Sequence, residues 1–190
     1  MHRLIQAAIL GFGAGMALLG VARAADAPVA AGDVVPGIWQ HHKVTINYFG
    51  ITSAYSCDGL EDHVRSILEH LGARNDAKVI ATCPRGPNVP SHTAWIESEF
   101  YTLAPADSAA PDTVQAHWAA REVTARRPYF MGEGDCELIE QMKDMISNSF
   151  ALRDVLYRTD CVPHQITLEG FAIKGQALVP VTNGPAAVNG

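Results

Sequence analysis

The sequence is short of cysteine and of basic side chains, and each shortage narrows the classes of protein to which it can belong. Only 4 cysteines occur in 190 residues, and no two of them form the Cys-x-x-Cys motif of thiol oxidoreductases. The 14 Lys and Arg are outnumbered by 20 Asp and Glu, which gives a formal net charge of −6. Nucleic acid and anionic lipid need a basic stripe, so neither is expected as the main partner.

Motifs of common enzymes and metal sites are missing as well. The sequence has no nucleophile elbow, no zincin helix and no glycine-rich phosphate loop. Among the 8 histidines, His63 and His70 stand two turns apart on one predicted helix, about 10 Å along its axis, which is too far to hold one metal ion. We therefore expect no cofactor, no metal and no catalytic residues that spacing can reveal.

A long hydrophobic run occurs only at the N-terminus. A short positive segment at residues 1–3 precedes an apolar run over residues 4–20, and Ala22-Arg23-Ala24 supplies the small-x-small pattern of signal peptidase. The sequence predicts a signal peptide over residues 1–24, cleaved after Ala24, and a periplasmic or secreted protein with no stable membrane insertion. The alternative, a retained membrane anchor, is disfavoured because glycines interrupt the run.

The first helix is marked at both ends. Apolar side chains recur at helical spacing from Leu60 to Leu71, and Gly72 suits a C-cap. Asp58, three residues before Glu61, has the spacing of a capping box. We expect a strand before this helix, over residues 44–49, because its apolar side chains alternate.

The order of elements then repeats. Each repeat reads as strand, helix, strand, strand, with a helix-start cysteine followed by a second cysteine near a proline. The predicted organisation is a flexible leader (25–37), a first unit (38–103), a linker (104–113), a second unit (114–179) and a loose tail (180–190).

We predict an α+β fold in which the tandem duplicated units pack as one domain. About six strands form one antiparallel or mixed sheet, and both helices cover one face of it. On the opposite face, Trp95, Tyr101, Trp118 and Phe171 are candidates for a second core layer or for a binding platform. The alternation of side chains along the strands does not decide between these two roles.

The four cysteines are expected to form two disulfides. Cys57 and Cys136 lie at helix starts, while Cys83 and Cys161 lie at the ends of strands that return towards them. A helix of about 15 residues rises roughly 22 Å and a strand of about 7 covers roughly 23 Å, so each strand end reaches its own helix start. The predicted bonds are Cys57–Cys83 and Cys136–Cys161. Free thiols at helix starts, the alternative, would be nucleophiles.

The densest polar group of the sequence surrounds the start of the first helix. Tyr55, Asp58, Asp62 and His63 are the candidate binding residues, because loop residues at a fixed helix end can present a site. Asp58 is also explained as a helix cap.

Two functional hypotheses follow. The first is a non-catalytic periplasmic or secreted module whose partner is an envelope or secreted protein. The alternative is a small enzyme or metal-handling protein whose dispersed histidines and carboxylates form one site. The basic cluster Arg121, Arg126 and Arg127 is interpreted as a solvated edge, because no aromatic residues are interleaved with it.

Overall fold

The computed structural model describes residues 34–107, 110–161 and 170–181. The predicted signal peptide, most of the predicted leader and the residues after 181 lie outside these ranges. The described elements, in chain order, are β1 (Val34–Phe49), α1 (Cys57–Leu71), β2 (Lys78–Thr82), β3 (Thr93–Pro105), β4 (Val114–Thr124), α2 (Cys136–Ser149), β5 (Leu152–Thr159) and β6 (Phe171–Pro180). A short 3₁₀ turn, Glu133–Asp135, precedes α2.

All six strands belong to one antiparallel sheet in the order β2-β3-β1-β4-β6-β5. The predicted α+β class is therefore confirmed, with two α-helices within the described residues. The long β1 pairs with β3 over most of its length and with β4 through its first residues, Val34–Gly37. This short contact joins the two halves of the sheet.

One main core lies between the helices and the sheet. It is built from the buried stripes of both helices and from alternate residues of the strands, such as Ile96, Phe100 and Val123. Met142 and Met145 belong to this core, where unbranched side chains fill irregular space. Since each strand turns alternate side chains to opposite faces, the remaining residues of the strands form a second face, called the open face below.

The ends of α1 differ in part from the prediction. Gly72 is the C-cap, with a left-handed φ of 112°, and its N–H returns to Glu69 O and Leu68 O. Asp58 is not the N-cap, because Ser56 occupies that position and its side chain accepts the Gly59 N–H. Asp58 lies in the first helical turn.

The sheet begins earlier than the sequence indicates. β1 starts at Val34, so the last residues of the predicted leader are strand and not a flexible segment. Gly37 allows β1 and β4 to approach closely, because a Cβ on this residue would lie only 3.2 Å from the Cβ of Ala116 on β4. The last strand differs from the prediction as well. The sequence predicts a strand from Ile166 to Lys174, whereas β6 runs from Phe171 to Pro180. Residues 166–169 lie outside the described ranges.

Both disulfides are present, Cys57–Cys83 and Cys136–Cys161, with Cα–Cα distances of 5.9 and 5.7 Å. Each ties the first residue of a helix to a cysteine one or two residues beyond the strand that follows it. Such bonds persist in an oxidising, extracellular type of environment. No helix in the described part of the chain is long and apolar enough to cross a membrane.

Candidate functional site

A polar cluster lies where the two helices begin. Asp135 is the last residue before α2, and the residue is only 5% exposed. Its Oδ1 accepts the hydroxyl of Tyr55, and its Oδ2 accepts the Gly132 N–H at 2.6 Å. Nε2 of His63, on α1, lies 3.1 Å from Oδ1, although the ring does not meet the geometry of a hydrogen bond. Tyr55, His63 and Asp135 are called the polar cluster below.

The charge of Asp135 is stabilised by these neighbours. Burial by itself raises the pKa of a carboxyl group. The contacts from His63, Tyr55 and Gly132 outweigh that effect, so the pKa of Asp135 lies below its ordinary value. Burial, followed by the charge of Asp135, raises the pKa of Tyr55 far above its ordinary value. The cluster is therefore an ionised carboxylate held by a neutral tyrosine.

The loop that carries Tyr55 is clamped by α2. The Glu137 carboxylate accepts the backbone N–H of Ile51 at 2.9 Å and that of Thr52 at 3.1 Å, and a longer contact reaches Ser53. The side-chain amide of Gln141 bonds both the N–H and the carbonyl of Phe49. Loop 50–56 is thus fixed by side chains more than 80 positions away in sequence.

The predicted site residues separate into two groups. Tyr55 and His63 meet in the polar cluster, with ring centroids 5.7 Å apart. Asp62 instead pairs with Arg65 at 2.6 Å on an exposed stretch of α1, and Asp58 is exposed. The sequence reasoning missed Asp135. Its position directly before a helix-start cysteine, like that of Ser56, is the only signal that marks it.

The open face has an apolar centre. Two tryptophan–leucine pairs lie opposite each other across neighbouring strands, Trp39 with Leu103 and Trp118 with Leu178. Both leucines are buried, and with Ala116 they form a second, smaller core cluster.

Arginines cover these tryptophans. The guanidinium of Arg74 lies 3.9 Å from the ring centroid of Tyr101 and 5.7 Å from that of Trp39. The guanidinium of Arg153 lies 3.8 Å from the ring centroid of Trp118. Cation–π contacts of this kind stabilise the charge on the ring face. Trp118 therefore belongs to the second core layer, and Tyr101 is a half-buried ring covered by Arg74.

Phe171 does not belong to the open face. It is 1% exposed and lies in the main core, because its strand position faces the helices. Neither of the roles considered for it, on the face opposite the helices, is correct.

At one end of the open face, large apolar side chains are exposed to solvent. Phe49, Ile80 and Trp95 are 62%, 61% and 49% exposed, and they stand on neighbouring strands with the same facing. Trp95, on the middle strand, is the diagonal neighbour of both Phe49 and Ile80, a distance that large side chains can span. Phe49 and Trp95 also line a groove of about 420 Å³ with Pro84 and the Cys83 end of a disulfide. Phe49, Ile80 and Trp95 are called the apolar corner below.

Comparison with protein-family models, with curated proteins and with solved structures finds no match for this chain. Function therefore has to be argued from the residues. Within the described ranges, no group of three or more His, Cys, Asp or Glu side chains is placed to hold a metal ion. The apolar corner and the polar cluster are the two candidate sites that this half of the sheet offers.

Proposed function

We propose that this protein is an exported, non-catalytic binding module that docks an envelope or secreted protein through the apolar corner. The observation that carries the proposal is the joint exposure of Phe49, Ile80 and Trp95. Clustered, exposed apolar side chains mark interaction sites, whereas single ones are ordinary. Tryptophan is also among the residues that contribute most to protein interfaces.

Side chains, and not an added strand, are expected to make the contact. The corner adjoins β2, the edge strand of the sheet. An edge strand can accept a partner strand only through unpaired backbone groups. The Ala81 N–H of β2 is already bonded to the Glu61 carboxylate at 2.8 Å. This bond occupies a backbone donor of the edge strand, which favours recognition through the aromatic surface beside the strand.

The polar cluster fits a supporting role in the same site. It holds loop 50–56, which begins directly after Phe49, against the start of α2. Asp135 is nearly buried and its two oxygens are both engaged. A docking surface requires this kind of fixed backbone, because a mobile loop would lose entropy when the partner binds.

Export is proposed from the predicted signal peptide over residues 1–24, which lies outside the described ranges. Two disulfides support it, because such bonds are rare in reducing compartments. We place the mature protein in the periplasm or outside the cell.

We also propose that the two halves arose by duplication of one strand-helix-strand-strand unit. The sheet order reads outward from the β1–β4 junction as β1-β3-β2 in one direction and β4-β6-β5 in the other. The same interval in sequence separates three pairs of residues with the same role: Trp39 and Trp118, Cys57 and Cys136, Arg74 and Arg153. In each half, the arginine that follows the helix covers the tryptophan of the first strand.

Site-specific photocrosslinking tests the docking proposal. A photoreactive phenylalanine analogue replaces Trp95 or, separately, Phe49, in protein expressed with its native export route. Tyr129, an aromatic residue that is 96% exposed and lies outside the corner, is the matched control. We expect both corner positions to give one shared adduct, which Ile80→Asp abolishes, and no such adduct from position 129.

Two results would contradict the proposal. One is an equal adduct pattern at position 129, which would indicate non-specific contact. The other is an adduct that survives Ile80→Asp with unchanged yield, because an interface centred on the corner cannot accept a buried charge without loss.

A further inference from the structure

A second concave surface lies in the other half of the sheet. Where β4 and β5 end and β6 begins, residues of these strands and of the turn after β4 line a pocket of about 350 Å³. Four of the 14 basic residues of the chain line it: Arg126, Arg127, Arg158 and Lys174. They are called the basic pocket below.

The charge of the basic pocket is only partly balanced. Among the described residues that line it, Glu122 is the single acidic one, and it is bonded to Lys174 at 2.8 Å. Arg158 pairs with Asp160 at 3.3 Å. The hydrogen bond from Lys174 and the charge of Arg127 hold the pKa of Glu122 below its ordinary value. Among the described lining residues, basic side chains therefore outnumber acidic ones, although the net charge of the chain is −6.

Part of the pocket lining is apolar. Leu156, Ala125, Ala172 and the buried Phe171 line the pocket together with the basic residues. A volume of this size matches a small organic molecule and not a folded partner. The charged and apolar parts of the lining together define the ligand: an anionic group for the arginines and an apolar body for the apolar side chains.

We propose that the basic pocket binds a small soluble molecule that carries a phosphate or similar anionic group on an apolar body. The anionic group lies against Arg126, Arg127 and Lys174, and the body lies over Leu156 and Ala172. Arginine suits this role because its planar guanidinium donates paired hydrogen bonds to anionic oxygens. This proposal is an alternative to the interpretation of the exposed Arg126 and Arg127 as a solvated edge, and it is favoured because Arg158 and Lys174 line the same pocket.

Phenyl phosphate is the probe for a titration followed by amide chemical shifts. We expect saturable shifts at residues 124–127 and 171–174, whereas phenol and inorganic phosphate, each with half of the recognised features, bind at least about tenfold more weakly. Equal binding of inorganic phosphate would overturn the proposal, because the apolar part of the lining would then contribute nothing.

Charge reversal supplies the second test. Arg127→Glu is expected to weaken phenyl phosphate binding about tenfold or more, the loss of one charged hydrogen bond. Arg85→Glu, an exposed arginine in the β2–β3 connection, makes the same change in net charge away from the pocket. The site is refuted if Arg85→Glu weakens binding as much as Arg127→Glu does. Arg126→Glu, at an exposed turn, repeats the test if Arg127→Glu unfolds.

A membrane lipid could also present the phosphate group to the basic pocket. Vesicle binding distinguishes this source from a soluble ligand. Phosphatidylcholine vesicles containing phosphatidic acid present the same anionic group on a lipid. Binding to these vesicles without saturable binding of phenyl phosphate would refute a soluble ligand. Saturable binding of phenyl phosphate with no vesicle binding is the expected result.

Discussion

Glu137 offers the sharpest test of how the candidate docking surface is held. Its carboxylate, in the first turn of α2, accepts backbone N–H groups of Ile51, Thr52 and Ser53. Glu137→Ala removes the acceptor and leaves these donors to water. The same residue lies at the N-terminus of a helix, where a negative charge is favourable.

The size of the effect follows from the geometry. A hydrogen bond to a charged group contributes about 1.5 to 3 kcal/mol. The bonds share two oxygens, and Ile51 is 41% exposed, so water replaces part of the loss. We expect Glu137→Ala to lower the free energy of unfolding by about 2 kcal/mol, a fall in Tm of about 4 to 8 °C. Glu137→Gln, which keeps one acceptor oxygen, should lose about half as much.

Thermal unfolding with the disulfides intact measures the loss, and amide hydrogen exchange locates it. Exchange at residues 51–53 should accelerate in Glu137→Ala, because their N–H groups open without unfolding of the sheet. Glu140→Ala is the control, since Glu140 lies on the same helix, is exposed and makes the same change in charge. Equal Tm and equal exchange in the two variants would refute the clamp.

Three further changes probe the fold. Gly72→Ala should cost about 2 kcal/mol and Gly86→Ala about 1 kcal/mol by urea unfolding, because both have positive φ but only at Gly72 would a Cβ lie within 3 Å of another side chain. In Asp135→Asn, the free energy of unfolding should fall less on acidification than it does in the unchanged protein. The lowered pKa of Asp135 in the folded state gives stability that is present above the usual pKa of 3.8 and is lost as the pH falls below it. Replacing Cys136 and Cys161 by serine, which opens a loop of 25 residues, should lower unfolding free energy by about 3 kcal/mol.

Sequence patterns predicted the features that depend on residues close together in the chain. The apolar stripe from Leu60 to Leu71 and the glycine after it fixed the body and end of α1, because a helix buries one face and needs a left-handed cap. The lengths of helix and strand gave the cysteine pairing seen in the structure. Neither inference needs contacts between distant parts of the chain.

The features that the sequence did not predict depend on strand register and on contacts between residues far apart in the chain. Pro36 and Gly37 resemble a flexible segment by composition, yet they are strand because β4 pairs with them. Phe171 is predicted on the face opposite the helices, but the register of β6 turns it into the main core. Tyr55 and Asp135 are 80 positions apart, and no spacing rule connects them.

The two candidate binding surfaces occupy equivalent places in the proposed repeat. Phe49 and Trp95 lie on the open face where β1 ends and β3 begins; Thr124 and Ala172 lie there where β4 ends and β6 begins. Because β1 and β4 are antiparallel, these places are at opposite ends of the sheet. One end is aromatic and the other basic, so they suit different ligands that do not compete. Arg127→Glu should therefore weaken phenyl phosphate binding about tenfold or more and leave the photocrosslink at Trp95 unchanged. A loss of both would show that the two surfaces serve a single partner.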